Sequence, residues 1–270
     1  MGRTDRDGDE EVILNSFSLI GKVALVTGGA GLYGRQITTA LAEAGADTWI
    51  ASRNLETLET FAAECRQQGL AVTARRLDQA DEKSVLTLRD EMLKARERVD
   101  VLVNNAVART MKGYDDDVAA FARSMEVNAT GLFAVTRAFG DAMSRANGGS
   151  IINIGSIQGM IGPDPTNYRD TSMHGWYPDY FFHKGGVINF TRFIASLYGP
   201  SGVRCNCVSP GGLFNPKMPG AFVKNYSERT FLGRLANETD MKGVIVFLAS
   251  DASVYITGAN IPVDGGYTAK

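Results

Sequence analysis

Tyr180 and Lys184 stand four residues apart, a spacing that puts both on one face of a helix. The chemistry open to such a pair is proton transfer. A carbonyl that accepts hydride develops alkoxide charge and needs a proton. A phenol could supply it, but its free pKa of about 10 is too high for efficient exchange at neutral pH. A neighbouring ammonium stabilises the phenolate and lowers that pKa. Upstream, Ser156 closes the run Ile152-Asn153-Ile154-Gly155-Ser156, and its hydroxyl could hold the substrate oxygen beside the tyrosine. Asn128, in Asn128-Ala129-Thr130-Gly131, could anchor a relay water. The Tyr-x-x-x-Lys spacing alone arises easily by chance, so its weight comes from order and context.

A second constellation lies near the N-terminus. The strand-like Val23-Ala-Leu-Val-Thr27 runs into Gly28-Gly29-Ala30-Gly31-Leu32-Tyr33-Gly34, in which glycines 29, 31 and 34 satisfy G-x-G-x-x-G. Backbone without Cβ admits a pyrophosphate closely, and the first amides of the following helix face its charge. Between an apolar strand and a helix this is a strong dinucleotide signal. The end of the next strand reads Ala51-Ser52-Arg53-Asn54. An acid there would hydrogen-bond a ribose 2′-hydroxyl; a guanidinium beside a hydroxyl suits a 2′-phosphate. Ser52 and Arg53 therefore predict NADP, with NAD as the alternative.

These residues must be carried by a regular frame. Strand and helix signals alternate from Lys22 to Val263, the pattern of a doubly wound α/β fold: one seven-stranded parallel sheet with helices on both faces. Strands are expected at Val23–Thr27, about Thr48–Ile50, Ala71–Leu77, Val99–Val103, Ser150–Ile154, Val203–Val208 and Asn260–Val263. Helices are expected over about 34–43, 54–68, 118–146 (in one or two pieces), Tyr180–Tyr198 and Met241–Ala249. Catalytic groups in such sheets gather at the carboxyl ends of strands, where Ser156 falls. A single domain over 21–270 is expected, preceded by a flexible lead-in over 1–20. Substrate loops are expected at about 157–179 and 211–234, the latter a mobile excursion.

Composition narrows the function classes. A net charge of −2 argues against nucleic acid as partner, and no window approaches the roughly 20 apolar residues of a membrane span. The three cysteines, with no histidine cluster beside them, read as buried structural residues, so no metal site and a cytoplasmic location are expected. His174 and His183 are the only histidines; a hydrolase triad would need one as base with an acid behind it, whereas His183 reads as packing or rim and His174 as a substrate contact or surface residue. Phe181, Phe182, Phe190 and Phe193 read as core or subunit interface, and Asp115-Asp116-Asp117 as a solvated helix start.

Taken together the motifs resemble the short-chain dehydrogenase/reductase family, from Gly21-Lys22-Val23 to Val263-Asp264-Gly265-Gly266. The resemblance implies an NAD(P)-dependent alcohol/carbonyl oxidoreductase with the tetrad Asn128, Ser156, Tyr180 and Lys184. It implies cofactor contacts from Gly28, Gly29, Gly31, Leu32, Tyr33, Gly34, Ser52, Arg53 and Asn54. It adds Asp78 at the adenine, Asn104 and Ala106 after the fourth strand, Pro210, Gly211 and Leu213 at the nicotinamide, and Tyr180 and Lys184 themselves. A homo-oligomer, most often a tetramer, goes with the family.

Three departures stand out. Leu32 replaces a usual glycine, Val107 replaces the glycine after Asn104-Asn105-Ala106, and 23 residues separate Ser156 from Tyr180. That long loop, with Gly162-Pro163-Asp164-Pro165, is similar to a branch acting on sugars, including nonulosonate precursors. The expected substrate is a sugar, sugar acid or polyol, with Arg109, Arg169, His174 and Lys217 as candidate contacts. A 3-oxoacyl thioester or another lipophilic ketone is the alternative. A regulator without activity is the reading from another class, but it has no need of every tetrad position.

Overall fold

The computed structural model describes residues 13–269. Its seven strands are β1 (Val23–Thr27), β2 (Asp47–Ser52), β3 (Val72–Arg76), β4 (Val101–Asn104), β5 (Gly149–Ile154), β6 (Val203–Pro210) and β7 (Asn260–Val263). They form one all-parallel sheet in the order β3-β2-β1-β4-β5-β6-β7. The strand order reverses between β1 and β4, which opens a crevice outside their carboxyl ends.

Helices cover both faces: α1 (Leu32–Glu43), α2 (Leu55–Gln67), α3 (Glu82–Arg96), α4 (Val118–Met125), α5 (Leu132–Arg145), α6 (Pro178–Tyr198), α7 (Gly220–Ser227) and α8 (Lys242–Ala249). The alternation of side chains along each strand divides the core in two. Ala24, Val26, Ile50 and Val103 pack with Ile37, Leu41 and Ile245 on one face. Val23, Leu25, Trp49 and Leu102 pack with Leu88, Phe139 and Ile194 on the other. Because both faces are covered, β1 and β4 are wholly buried and apolar up to their last residues, Thr27 and Asn104, as a parallel sheet requires.

Three expectations are corrected. The lead-in is not loose over its whole length. Residues 1–12 lie outside the described residues, but Ile13–Phe17 forms a 3₁₀ turn and Leu19 is fully buried. Its amide donates to Ala44 O at 2.8 Å, so burial of one apolar side chain ties this segment under α1. The helix beginning near Tyr180 starts earlier, at Pro178, because proline suits a first helical position. The excursion after Pro210 is not a free strand of loop. It contains α7, and Phe222 and Tyr226 pack with Ile157, Leu235 and Tyr267 into a small separate core.

That small core joins the two long loops. Tyr168 and Phe222 lie 5.6 Å apart between ring centroids. Asn225 Nδ2 donates to Arg169 O at 2.9 Å, and Arg229 pairs with Asp164 at 2.6 Å. Burial alone would raise the Asp164 carboxyl, but hydrogen bonds from Thr166 and the Arg229 charge hold it below its ordinary value. Phe222→Ala should remove about 3 kcal/mol or more of local packing. Amide exchange should then accelerate in both 157–179 and 211–234 while the central strands stay protected. Acceleration in only one loop would show that they are not coupled.

Candidate active site

The glycine turn and β4 meet at the switch point. Asn105 Nδ2 donates to Thr27 O and Gly28 O at 3.1 and 2.9 Å, and Thr27 Oγ1 accepts from the Asn105 and Ala106 amides. Gly28 has φ +67°, and a Cβ there would stand 2.9 Å from Ala106 Cα. At Gly34 a Cβ would stand 2.1 Å from Gly28 O, so the turn closes only with glycine. What remains is bare backbone at the start of α1, a cradle that fits a dinucleotide pyrophosphate. Leu32 projects outward and is largely exposed, so its replacement of glycine leaves the turn intact. Tyr33 Oη donates to Gly211 O at 2.8 Å, bridging the glycine turn to the end of β6, and burial raises its phenol far above the ordinary value.

At the end of β2, Ser52 Oγ donates to Asn54 O and Asn54 caps α2 by accepting from Thr57 N. Arg53 is exposed and forms no ion pair with any described residue. Sequence reasoning missed Arg76. It is the register partner of Ser52 across β2 and β3, so strand pairing sets a second arginine beside the end of β2. Asp78 follows β3, with one carboxylate oxygen accepting from Ala80 N. Asn104 is turned inward: its Nδ2 donates to Thr136 Oγ1 and Asn153 Oδ1, bracing the centre of the sheet. At the end of β6, Gly211 N donates to Val263 O and Gly212 N to Tyr226 Oη, while Leu213 bridges to Ala236.

The catalytic end is built by β5, α6 and a break in the long helix. Between α4 and α5 the chain makes a π turn over Glu126–Gly131, and Asn128 sits in it, buried. Such turns expose backbone groups and occur often at functional sites. Here Gln79 Nε2 donates to Val127 O. Asn128 clasps the β4–α4 loop at Ala108, accepting its amide and donating to its carbonyl, both at 2.8 Å. Its Nδ2 also donates to Ser124 Oγ, which donates to the buried carboxylate of Asp179 at 2.6 Å. Asn128 is thereby tied to the first turn of α6. Neither Ser124 nor Asp179 carried a sequence signal, because their pairing spans 55 residues.

Lys184 is buried, and its Nζ donates to Ile154 O at 2.5 Å, at the carboxyl end of β5. Its Nζ stands 5.7 Å from the centroid of the Tyr180 ring. Burial lowers the ammonium's pKa, with Tyr180 acting in the opposite sense. Ser156, two residues past Ile154, is buried, and its Oγ accepts from Gln158 N at 3.1 Å. The Ile157–Gly159 turn lies directly on α6: a Cβ at Gly159 would be 2.5 Å from Lys184 O. Despite the long intervening loop, the Ser156 turn and the Tyr180–Lys184 turn of α6 are in contact.

Of the four candidate substrate contacts, one reaches this centre. Arg109 Cζ stands 4.8 Å from the Tyr180 ring centroid. His174 stacks on Tyr177 at 4.9 Å, one helical turn before Tyr180. Arg169 and Lys217 are exposed on the two loops, where only their backbone groups make hydrogen bonds. Val107 stays partly exposed beside the Asn105 turn.

A family model described as Enoyl-(Acyl carrier protein) reductase matches residues 31–268. The chain is 34% identical over 255 residues to a cyclopentanol dehydrogenase of Comamonas testosteroni, covering 92% of this chain and 98% of that one. It is 33% identical over 259 residues to a galactitol 2-dehydrogenase (L-tagatose-forming) of Cereibacter sphaeroides, covering 93% and 97%. Among solved structures, a gluconate 5-dehydrogenase from Burkholderia cenocepacia J2315 in complex with NADP and tartrate superposes with TM-score 0.86. It is 30% identical, with 96% of this chain and 100% of that chain covered. The chain belongs to the short-chain dehydrogenase/reductase family. It is an NAD(P)-dependent oxidoreductase that interconverts an alcohol and a carbonyl.

His183, inside the Tyr180–Lys184 turn, adds a pH-dependent element. It is buried edge-on to the Tyr180 ring, 5.2 Å between centroids, and its Nε2 has no hydrogen-bond partner among the described residues. Burial, reinforced by the Lys184 and Arg109 charges, pushes its pKa from 6.5 down to about 3. In that interval the unfolded chain takes up a proton that the folded chain refuses, so stability falls as pH drops from 6.5 towards 3. Urea midpoints should therefore decline more steeply with acid in the native protein than in His183→Leu. Parallel profiles would refute the assignment.

Proposed function

We propose that Tyr180 is the general acid/base of this oxidoreductase. The observation that carries the reading is the buried Lys184 ammonium, anchored to Ile154 O and held beside the Tyr180 ring. A fixed positive charge there is what a phenol that gives up and regains a proton needs beside it. Ser156, fixed in the turn that packs on α6, holds the substrate oxygen beside that hydroxyl. Asn128, clamped by Ala108 and Ser124, keeps the π turn in place and anchors the water through which the proton is exchanged.

A nicotinamide cofactor, when bound, supplies or accepts the hydride. The turn at Gly28–Gly34 would hold its pyrophosphate, Asp78 the adenine, and Gly211 with Leu213 the nicotinamide side. NADP is the preferred form in this reading. Its support is the absence of an acid at the end of β2 and the flanking of Ser52 by Arg53 and Arg76. A 2′-phosphate offers those guanidiniums charge-assisted hydrogen bonds that a ribose hydroxyl cannot match.

The substrate class this reading assigns is a sugar, sugar acid or polyol. The galactitol-oxidising relative supports it, as does Arg109 at the Tyr180 ring, placed to meet a hydroxyl or carboxylate next to the reacting carbon. The same reading makes the protein a homotetramer. Its support is an exposed aromatic face on α5 and α6, where Phe133, Phe182, Phe193 and Leu197 remain in contact with solvent. The cytoplasm is the assigned compartment, supported by three buried, unpaired cysteines that suit a reducing environment. No helix among the described residues is long and apolar enough to cross a membrane.

Two measurements test the reading. Tyr180→Phe should abolish turnover of the best alcohol while cofactor affinity stays nearly unchanged, because only a hydroxyl is lost. Wild-type turnover in that variant would end the assignment. Arg53→Ala should weaken NADP by about 1.5–3 kcal/mol, roughly ten- to a hundred-fold, and NAD far less. Equal or tighter binding of NAD by the native enzyme would overturn the NADP preference.

A further inference from the structure

A cavity of about 300 Å³ lies alongside the first turn of α6, lined by Tyr114, Pro163, Trp176, Tyr177, Pro178 and Phe181. Three separate stretches build it: the loop after β4, the long 157–179 loop, and the start of α6. None of these six side chains is charged. Tyr177, Pro178 and Phe181 all lie within one helical turn of Tyr180, about 5.4 Å of rise, so the cavity adjoins the turn of α6 that carries the proposed proton donor, Tyr180 itself lying outside its lining. Its wall is held from outside. His174 stacks on Tyr177, and a Cβ at Gly113 would meet His174 Cε1 at 3.9 Å, so the two loops lie close together at the rim. Trp176 and Tyr114 stay 49% and 76% exposed at the mouth. Large aromatics left at the surface around a concave apolar wall mark a binding site more often than a packing accident.

We propose that this pocket is a substrate subsite that takes the C–H face of a saturated ring, carbocyclic or pyranose, whose carbinol or a substituent carbinol reaches Tyr180. The inference rests on Tyr180 as proton donor, favours the cyclic members of the proposed class over the open-chain ones and adds carbocyclic alcohols to it. Three physical points carry it. Aromatic faces carry negative charge density and pair with the weakly positive edges of C–H bonds. The volume sits at the lower end of ligand pockets and has room for a six-membered ring. With no charged group in the wall, the pocket leaves polar recognition to Arg109 and Ser156, outside it. An open-chain polyol presents no flat C–H face and gains nothing from such a wall.

The test uses the full chain with NADP or NAD and three substrate sets: cyclohexanols, methyl pyranosides with free sugars, and open-chain polyols. Trp176→Ala should lower the ratio of kcat/KM for ring over open-chain substrates about ten-fold, through KM, the order an aromatic face contributes. Trp176→Phe should restore most of it. The carbocyclic and sugar arms show which ring source is favoured.

A second readout does not need turnover. The chain has two tryptophans, and Trp49 is buried against the sheet, so Trp176 reports the pocket. A seated ring should exclude water from its indole and shift emission to the blue, saturably, in the native protein and in Tyr180→Phe. The shift should be absent in Trp176→Ala. Rings that shift emission saturably but are never oxidised would leave a binding pocket there and overturn its assignment as a substrate subsite. No saturable shift with either ring class, or a shift that follows protein concentration instead of ligand, would overturn the subsite.

Discussion

The structure around the site depends on one buried ammonium. Taking Lys184 out of water is costly unless its donors find fixed partners, and the carbonyl of Ile154 is the partner this fold provides. That contact pins α6 to the carboxyl end of β5. It fixes the distance between the charge and the Tyr180 ring, and it places the Ser156 turn against the same stretch of helix. A lysine free to swing into solvent would keep its charge and lose its influence on the phenol. The close approach of Gly159 to Lys184 O shows how little room the arrangement leaves, since any side chain there would lift the turn from the helix.

Polar cross-braces do comparable work deeper in the sheet. Asn104, Asn153, Thr136 and Thr191 form a fully buried chain linking β4 and β5 to α5 and α6. In surroundings of low dielectric such a chain is strong when complete and destabilising when a member is missing. It joins the cofactor half of the sheet to the catalytic half. The Thr27–Asn105 contacts repeat the device at the surface of the crevice, so that the glycine turn and the strand beside it move as one.

Around this rigid floor the walls come from chain-distant loops. Asp164 and Arg229, and Tyr168 and Phe222, hold two excursions to each other rather than to the sheet, and Asn167 with Tyr267 Oη ties the first of them to the segment after β7. The result is a roof with its own small core, seated over a crevice whose lower walls are fixed. Aromatic side chains turned toward the start of α6 then give that crevice an apolar flank beside a polar reacting centre. The order of the walls follows from where apolar residues could be buried in each loop.

Much of this was legible from residue order. The seven strands, their parallel arrangement and the placement of Ser156 beyond a strand end follow from apolar runs punctuated by glycine, because burial on both faces forces continuous apolar strands. The glycine turn was equally readable, since only glycine satisfies its backbone. Folding in three dimensions decided the rest. Arg76 became a neighbour of Ser52 through strand register, and Asp179 was linked to Asn128 through Ser124, across a helix break that no local pattern announces. The 157–179 loop returned to the site because its aromatic residues found apolar partners in another loop. Periodicity reports how one segment meets the core. Contacts between segments far apart in the chain depend on where every element is finally packed, and that is set only by the tertiary structure.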